Sequence, residues 1–295
     1  MKAVVLHETG GPDALRYEDA PDPEAKEDEV LVRIEAAGVN HIDLTWRAGG
    51  PPTLPAILGL DGAGTRADTG ERVLVSGNRG TYAELVAAKS STVYSIPDSL
   101  EASAAAALGV PYRTAWWSVV ELGGLREGQT LLVQSAATST GTACIDVGRM
   151  VGATVFATAP ANKLDDVRAL GAEALTYGDP AIQKLNANVV FDPVGAETFS
   201  DSVEALAREG TLVTPGALGD ARVSFNLWTL LGRKARIQGI GAPQISRQTM
   251  DVLIGMAAGG KLNPVIDREL PLERAADAHR AIEARETFGK VLLRP

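Results

Sequence analysis

From Thr130 onward the chain alternates short apolar runs with amphipathic stretches. Thr130-Leu-Leu-Val133 is apolar and Gln134-Ser-Ala-Ala-Thr-Ser-Thr-Gly141 is a turn of small residues. A helical period then continues to Met150, and Ala153-Thr-Val-Phe-Ala-Thr158 is β-branched again. Strand, turn, helix, strand is the order of a βαβ unit. Apolar runs restart at Leu131, Thr154, Glu173, Asn188, Thr211 and Arg236 with helical stretches between them, so the pattern predicts a doubly wound parallel sheet of six strands. Upstream, residues 3–6, 30–37, 70–77 and 81–87 alternate with period two and are broken by glycine, which predicts a small antiparallel barrel. Residues 101–108 are an Ala-rich helix. After Gly241 the pattern gives a helix at 249–258, an apolar run at 262–267, a helix at 272–285 and a closing strand at 289–293. The class read here is α/β: a barrel domain of residues 1–98 and 242–295, and a doubly wound domain of residues 99–241.

The turn after the first strand of such a sheet is where a phosphate binds. Glycine is favoured there for the tight exit from the strand, for close approach of backbone to diphosphate, and for packing of helix on sheet. This chain has Ser135 at the first position, Thr138 at the second and glycine only at the third, Gly141. The expectation is that the backbone from Ser135 and Ala136 onward cradles the phosphates, with Thr138, Ser139 and Thr140 donating hydroxyl hydrogen bonds in place of the missing glycines. A structural turn with no ligand remains the alternative. An NAD site would end the second strand with Asp or Glu to accept from the ribose 2′-hydroxyl. Here Thr158 is followed by Ala-Pro-Ala-Asn-Lys163, with no acid before Asp165. Thr158 and Lys163 therefore favour the 2′-phosphate of NADP(H), a solvated helix-start lysine being the competing account.

Composition narrows the partners. The chain has 295 residues, 45% hydrophobic content, a formal charge of −9 and a pI near 5.0. No clustered basic face is available to neutralise nucleic-acid phosphates, and no apolar run reaches the roughly 20 residues of a membrane span. The first residues are charged too early for a signal peptide, so cytoplasm is expected. The single cysteine, Cys144, falls in step with Val147 and Val151 on a predicted helix and reads as a packed side chain. One cysteine excludes a Cys₄ zinc lobe or a catalytic zinc site built on cysteine pairs, and no metal is expected.

The runs Ala36-Ala-Gly-Val-Asn-His-Ile-Asp43, Pro55-Ala-Ile-Leu-Gly-Leu-Asp-Gly-Ala-Gly64, Gly80-Thr-Tyr-Ala-Glu84, Asp192-Pro-Val-Gly195 and Pro271-Leu-Glu-Arg-Ala-Ala-Asp-Ala-His279 carry a resemblance. Together they resemble the zinc-free quinone oxidoreductases, the zeta-crystallin-like branch of the medium-chain dehydrogenase/reductase superfamily. The resemblance implies a GroES-like β-barrel domain plus a Rossmann domain, NADPH dependence, a dimer or tetramer, of which a homodimer is expected here, and hydride transfer to a quinone or an α,β-unsaturated carbonyl compound. Zinc-dependent relatives carry Cys-His-x-Asp and Gly-His-Glu runs; the matching positions are Asn40-His41-Ile42-Asp43 and Gly59-Leu60-Asp61. His7 and His279 lie far from these runs and read as structural or exposed.

Carried over residue by residue, Asn40 falls at the family's asparagine near nicotinamide and substrate, and Thr114 at a threonine of the cofactor cleft. Lys163 matches the 2′-phosphate lysine and Tyr177 a tyrosine over the adenosine phosphate. Asp192, Val194, Pro215 and Gly216 lie at later strand ends, where a doubly wound sheet opens its crevice. Asn40 is the expected donor or positioner at the acceptor's carbonyl oxygen, with Thr45 and Arg47 assisting. Asp43 is either a helix cap or an acid/base. Departures are Thr45 and Pro51 in place of tyrosines and a shortened connection between Gly64 and Gly70. Two other functions stay open: an enoyl-thioester reductase, for which Arg47 and Arg113 would be the basic residues, and a reductase-like protein with a non-redox role, suggested by Ser135 and Thr138.

Overall fold

The computed structural model describes residues 1–50 and 53–295; Pro51, named above as a departure, lies outside the described residues. The chain divides into two compact units, residues 1–110 with 247–295, and residues 111–246. In chain order the first unit contributes β1 (Lys2–Leu6), β2 (Leu15–Asp19), β3 (Glu29–Val39), helix α1 (His41–Gly49), β4 (Ala56–Ile57), β5 (Asp61–Arg66), β6 (Arg72–Ser76), β7 (Leu85–Lys89), β8 (Val93–Ser95) and most of α2 (Ala102–Ala115). The second unit holds β9 (Thr130–Val133), α3 (Ser139–Val151), β10 (Thr154–Thr158), α4 (Leu164–Ala169), β11 (Glu173–Leu175), β12 (Ala187–Phe191), α5 (Phe199–Ala205), β13 (Leu206–Thr214), α6 (Leu227–Arg233) and β14 (Arg236–Gly239). The tail, α7 (Arg247–Ala258), β15 (Ile266–Pro271), α8 (Ala275–Glu283) and β16 (Lys290–Arg294), belongs to the first unit.

The second unit is the expected doubly wound sheet. Its 6 strands run in the order β11-β10-β9-β12-β13-β14 and every pair is parallel. The order reverses at β9, so the loops after β9 and β12 flank the switch point where such sheets bind ligands. Leu131, Leu132 and Val133 are all fully buried because a central parallel strand is covered on both faces, which is why the sequence shows an unbroken apolar run. Helix α3 starts at the N-cap Thr138 and stops at Gly152, which takes the left-handed conformation at φ 87°.

In the first unit β3 is the organising strand, pairing antiparallel with β5, β7 and the returning β16. The fold is the GroES-like barrel with Rossmann domain that the motifs implied. One predicted strand is shorter than its pattern. Residues 81–84 leave the 81–87 run because Thr81 donates its hydroxyl to Asp61 O and Tyr82 turns wholly into the core, so β7 begins only at Leu85. The Ala-rich helix is longer than predicted, running through Pro111 into a π-helical stretch, Trp116–Leu122.

Candidate functional site

The loop leaving β9 turns at Ser135, which holds a left-handed φ of 61°. This is the conformation glycine takes without penalty. The amide of Ala136 donates to Thr158 O at 2.8 Å, tying the turn to β10. At the second position the expected role of Thr138 is corrected. Its hydroxyl accepts from the Gly141 amide at 3.0 Å and donates to Ser135 O at 3.0 Å, so it caps α3 and closes the turn; its proton is not available to a phosphate. Gly141 is needed for contact, since a Cβ there would stand 2.3 Å from Ser135 O. The amides of Ser139 and Thr140, in the first turn of α3, have no acceptor within the helix and carry its positive end.

A buried chain of hydrogen bonds runs from this turn across the strand ends. Ser135 N–H donates to Thr158 Oγ1 at 3.3 Å, Thr158 donates to Gln134 Oε1 at 2.6 Å, Gln134 Nε2 donates to Ser202 Oγ at 3.0 Å, and Ser202 donates to Asp192 Oδ2 at 2.7 Å. Two further expectations are corrected by it. Thr158 is fully buried with its hydroxyl committed to Gln134, so it does not face a ribose phosphate. Asp192, also fully buried, accepts from Val194 N, Thr198 Oγ1 and Ser202 Oγ, and so shapes its own loop instead of touching cofactor. Lys163, at 8% exposure, closes the short 3-10 turn Ala161–Lys163 beyond β10, and no carboxylate intervenes between Thr158 and it. Tyr177 is 41% exposed, and Thr114 lies half-buried in the last turn of α2. Val194 is buried, Pro215 half-buried and Gly216 exposed, its carbonyl accepting from Thr214 Oγ1. An open helix N-terminus, a strand end without acid and a buried lysine just past it fit a dinucleotide bearing a 2′-phosphate.

The first unit holds a second polar cluster, at the start of α1. Asn40 Nδ2 donates to Asp61 Oδ1 at 2.8 Å and to Gly38 O at 3.3 Å, and Oδ1 accepts from Lys290 Nζ at 2.6 Å. The carboxamide is thus engaged at both ends within the protein. Arg47 is corrected as well. It is 3% exposed, donates to Gly10 O at 3.1 Å and pairs with Glu283, serving as a strut. Thr45 is exposed and donates back to His41 O.

Asp43 accepts from the amides of Asn40 at 2.9 Å and Gly59 at 3.1 Å and from the Tyr82 hydroxyl at 3.3 Å, so it caps α1 and pins the Gly59 turn. Burial pushes its carboxyl up to about 7, against the pull of those amides. Tyr82 in turn meets His279 Nε2 at 3.2 Å, and burial, with Arg47 adding, pushes that imidazole down to about 3. His279 is fully buried while His7 lies at the surface beside Glu18.

Residues 26–98 match the alcohol dehydrogenase GroES-like domain family, and residues 170–293 the zinc-binding dehydrogenase family. A crystal structure described as an NAD-dependent alcohol dehydrogenase aligns over 100% of both chains with 31% identity and a TM-score of 0.92. The quinone oxidoreductase of Lama guanicoe is 29% identical over 99% of this chain and 97% of its own length. A mycobacterial protein, Rv1454c, solved in complex with NADPH, aligns over 100% of both chains with 29% identity and a TM-score of 0.90. The chain belongs to the medium-chain dehydrogenase/reductase superfamily, on its quinone oxidoreductase branch. Although one matching family is described as zinc-binding, no three His, Cys, Asp or Glu side chains gather around a common point among the described residues of this superfamily member.

Four members of these buried clusters carry no mark in the local pattern: Gln134, Ser202, Lys290 and the pairing of Asp61. Residue type alone is a signal at two of them. Gln134 is a polar residue closing an apolar strand, and Lys290 a lysine entering one.

Replacing Ser135 by glycine should raise the free energy of unfolding by about 0.5–1 kcal/mol, the left-handed penalty less glycine's extra chain entropy. Urea denaturation checks it; a loss of stability would mean the serine side chain supports the turn.

The two buried titratable groups give opposite pH slopes. Asp43's folded value of about 7 lies above its ordinary 3.8, so its contribution is present below 3.8 and lost as pH rises through 7. His279's folded value of about 3 lies below its ordinary 6.5, so stability falls as pH drops from 6.5 toward 3. Asp43→Asn should therefore leave the histidine slope exposed. Its unfolding free energy should rise as pH climbs toward 6.5 more steeply than in the parent, by up to about 1.4 kcal/mol per pH unit. Identical slopes in urea titrations would remove the assignment to Asp43.

Proposed function

We propose that this chain is an NADPH-dependent reductase that transfers hydride to a quinone or an α,β-unsaturated carbonyl compound without a metal ion. The observation that carries the reading is the end of β10, where Thr158 is followed by Ala159 and Pro160 instead of an acid, with the buried Lys163 just beyond. An NAD site needs a carboxylate there; a 2′-phosphate needs a cation. The relatives named quinone oxidoreductase and the NADPH complex of Rv1454c support the same choice, although another relative is named as NAD-dependent.

Bound NADPH supplies the hydride. What the chain contributes is placement and charge. Helix α3 offers its positive end and the amides of Ser139 and Thr140 to the diphosphate, and Thr138 holds those amides in register by capping the helix. Lys163 offsets the 2′-phosphate. The acceptor's final proton comes from water, because Asp43 and His279 are taken up by backbone amides and by Tyr82. The metal-free reading is supported by the two positions that carry ligand runs in zinc-dependent relatives: Leu60 has no ligating atom, and Asn40 is tied to Lys290.

A homodimer is part of the reading. β14 is an edge strand of its sheet, and neighbouring α6 exposes Leu227 at 57%, Trp228 at 79% and Leu231 at 56%. An open edge beside an apolar helix face suits isologous pairing with a second copy.

Titration with NADPH, followed by tryptophan quenching, should saturate below millimolar concentration, and absence of a response would remove the redox reading. Lys163→Ala should weaken NADPH about tenfold or more while NADH binding changes less than about twofold; equal losses would sink the phosphate role. Trp228→Glu should shift the mass seen by light scattering from dimer to monomer, and an unchanged mass would place the interface elsewhere.

A further inference from the structure

A hydroxyl has one proton to give, so in a chain of hydroxyls and carboxamides one fixed end decides which way every bond points. The buried chain beneath the phosphate turn has such an end. Asp192, fully buried, accepts from the amides of Val194 at 2.9 Å and Gly195 at 3.4 Å and from the hydroxyls of Thr198 at 2.8 Å and Ser202 at 2.7 Å. A carboxylate can only accept. The Ser202 proton therefore goes to it, which leaves the Ser202 oxygen to receive the NH₂ end of Gln134 at 3.0 Å. That turns the carbonyl end of Gln134 to Thr158, whose proton it takes at 2.6 Å, and leaves the Thr158 oxygen free to accept from the Ser135 amide.

The far end of the chain is the strained residue of the turn. Ser135 holds a φ of 61°, and such an angle persists only where its neighbours over-determine it. Thr158 supplies two holds, its hydroxyl oxygen on the Ser135 amide at 3.3 Å and its carbonyl on the Ala136 amide at 2.8 Å. The second is backbone alone. The first depends on the sense of every bond back to Asp192. Gln134 is 1% exposed and Thr158 and Ser202 are fully buried, so bulk water does not replace a lost link.

We propose that Asp192 is a positioning residue for cofactor binding: acting through Ser202, Gln134 and Thr158, it sets the sense of the buried chain and so holds the phosphate turn in the form that receives the diphosphate. All of these residues belong to the second unit. The cofactor half of the proposal rests on the reductase reading, and the wiring half stands without it. The competing account is local, in which Asp192 serves only its own loop and the chain merely pairs buried polar groups.

Three variants separate the accounts. Ser202→Ala cuts the chain in the middle and leaves Asp192 its bonds to Val194, Gly195 and Thr198. Asp192→Asn reverses the end, because its oxygen stays with the two backbone amides and its NH₂ faces Ser202. Thr198→Ala disturbs the loop of Asp192 and leaves the chain whole. The first readout needs no cofactor: in nitrogen-15-labelled protein the Ser135 amide should exchange with solvent about tenfold faster in Ser202→Ala and Asp192→Asn than in the parent or in Thr198→Ala. The second is the NADPH Kd from tryptophan quenching. It should rise about three- to tenfold in each of the first two variants, no further when they are combined, and less than about twofold in Thr198→Ala. Unchanged exchange in Ser202→Ala overturns the wiring. Faster exchange with an unchanged Kd overturns the link to cofactor. Losses that add in the double variant, or an equal loss in Thr198→Ala, hand the effect to the local account. A parent protein that binds no NADPH removes the reductase reading itself, and the exchange rates then decide the wiring on their own.

Discussion

The contact between Gly141 and the carbonyl of Ser135 governs the second unit. With no Cβ at 141, α3 starts against the end of β9 closely enough for Thr138 to bridge the two, accepting from Gly141 and donating to Ser135. That bridge fixes the direction in which the helix begins. It leaves the first amides of α3 pointing out of the turn, where an anion gains both their hydrogen bonds and the helix dipole. The serine's left-handed backbone is the strain that this geometry carries, and it persists because the Ala136 amide and the Thr158 carbonyl hold the next residue in place.

Behind the turn, polarity is handled in the same way in each unit: buried charges are retained only where donors converge on them. In the second unit every donor in the chain from Ser135 through Thr158, Gln134 and Ser202 points toward Asp192, so each bond reinforces the next and the carboxylate ends with several partners. In the first unit the fully buried Asp61 collects an ammonium, a carboxamide and a backbone amide. Such networks add little net stability over an apolar replacement, whereas removing one partner alone is costly because it leaves a buried charge uncompensated.

The sheet was legible in the sequence because burial on both faces leaves strands such as β9 and β12 as plain apolar runs, and the parallel order follows from helices between them. The cofactor turn was legible in position and not in wiring. Thr138 and Thr158 look alike as hydroxyls near a phosphate loop, yet one caps a helix and the other lies wholly buried against Gln134. The Asn40 cluster was invisible for a different reason: its decisive partner, Lys290, is 250 positions away, beyond any local period or spacing rule. Arg47 was misplaced because a helical pattern tells which residues share a face, and only the packed barrel shows that this face turns to Gly10 and Glu283.

The substitutions at the phosphate turn bear on function in the reverse of the way the residue types suggest. If hydroxyls were replacing glycines by binding the diphosphate themselves, their protons would have to face it. Thr138 and Thr158 both donate inward instead. What they replace is the turn that glycines would have formed: Ser135 adopts the backbone angle, Thr138 supplies the cap, and Thr158 fixes the neighbouring strand end. In the proposed reading the anion meets the backbone amides of Ser139 and Thr140, the same kind of donor that a glycine-rich turn would present. A threonine at the second position is therefore compatible with a diphosphate, because its side chain is folded into the loop's own hydrogen bonds. The departure from the glycine pattern is then no argument for a lost cofactor.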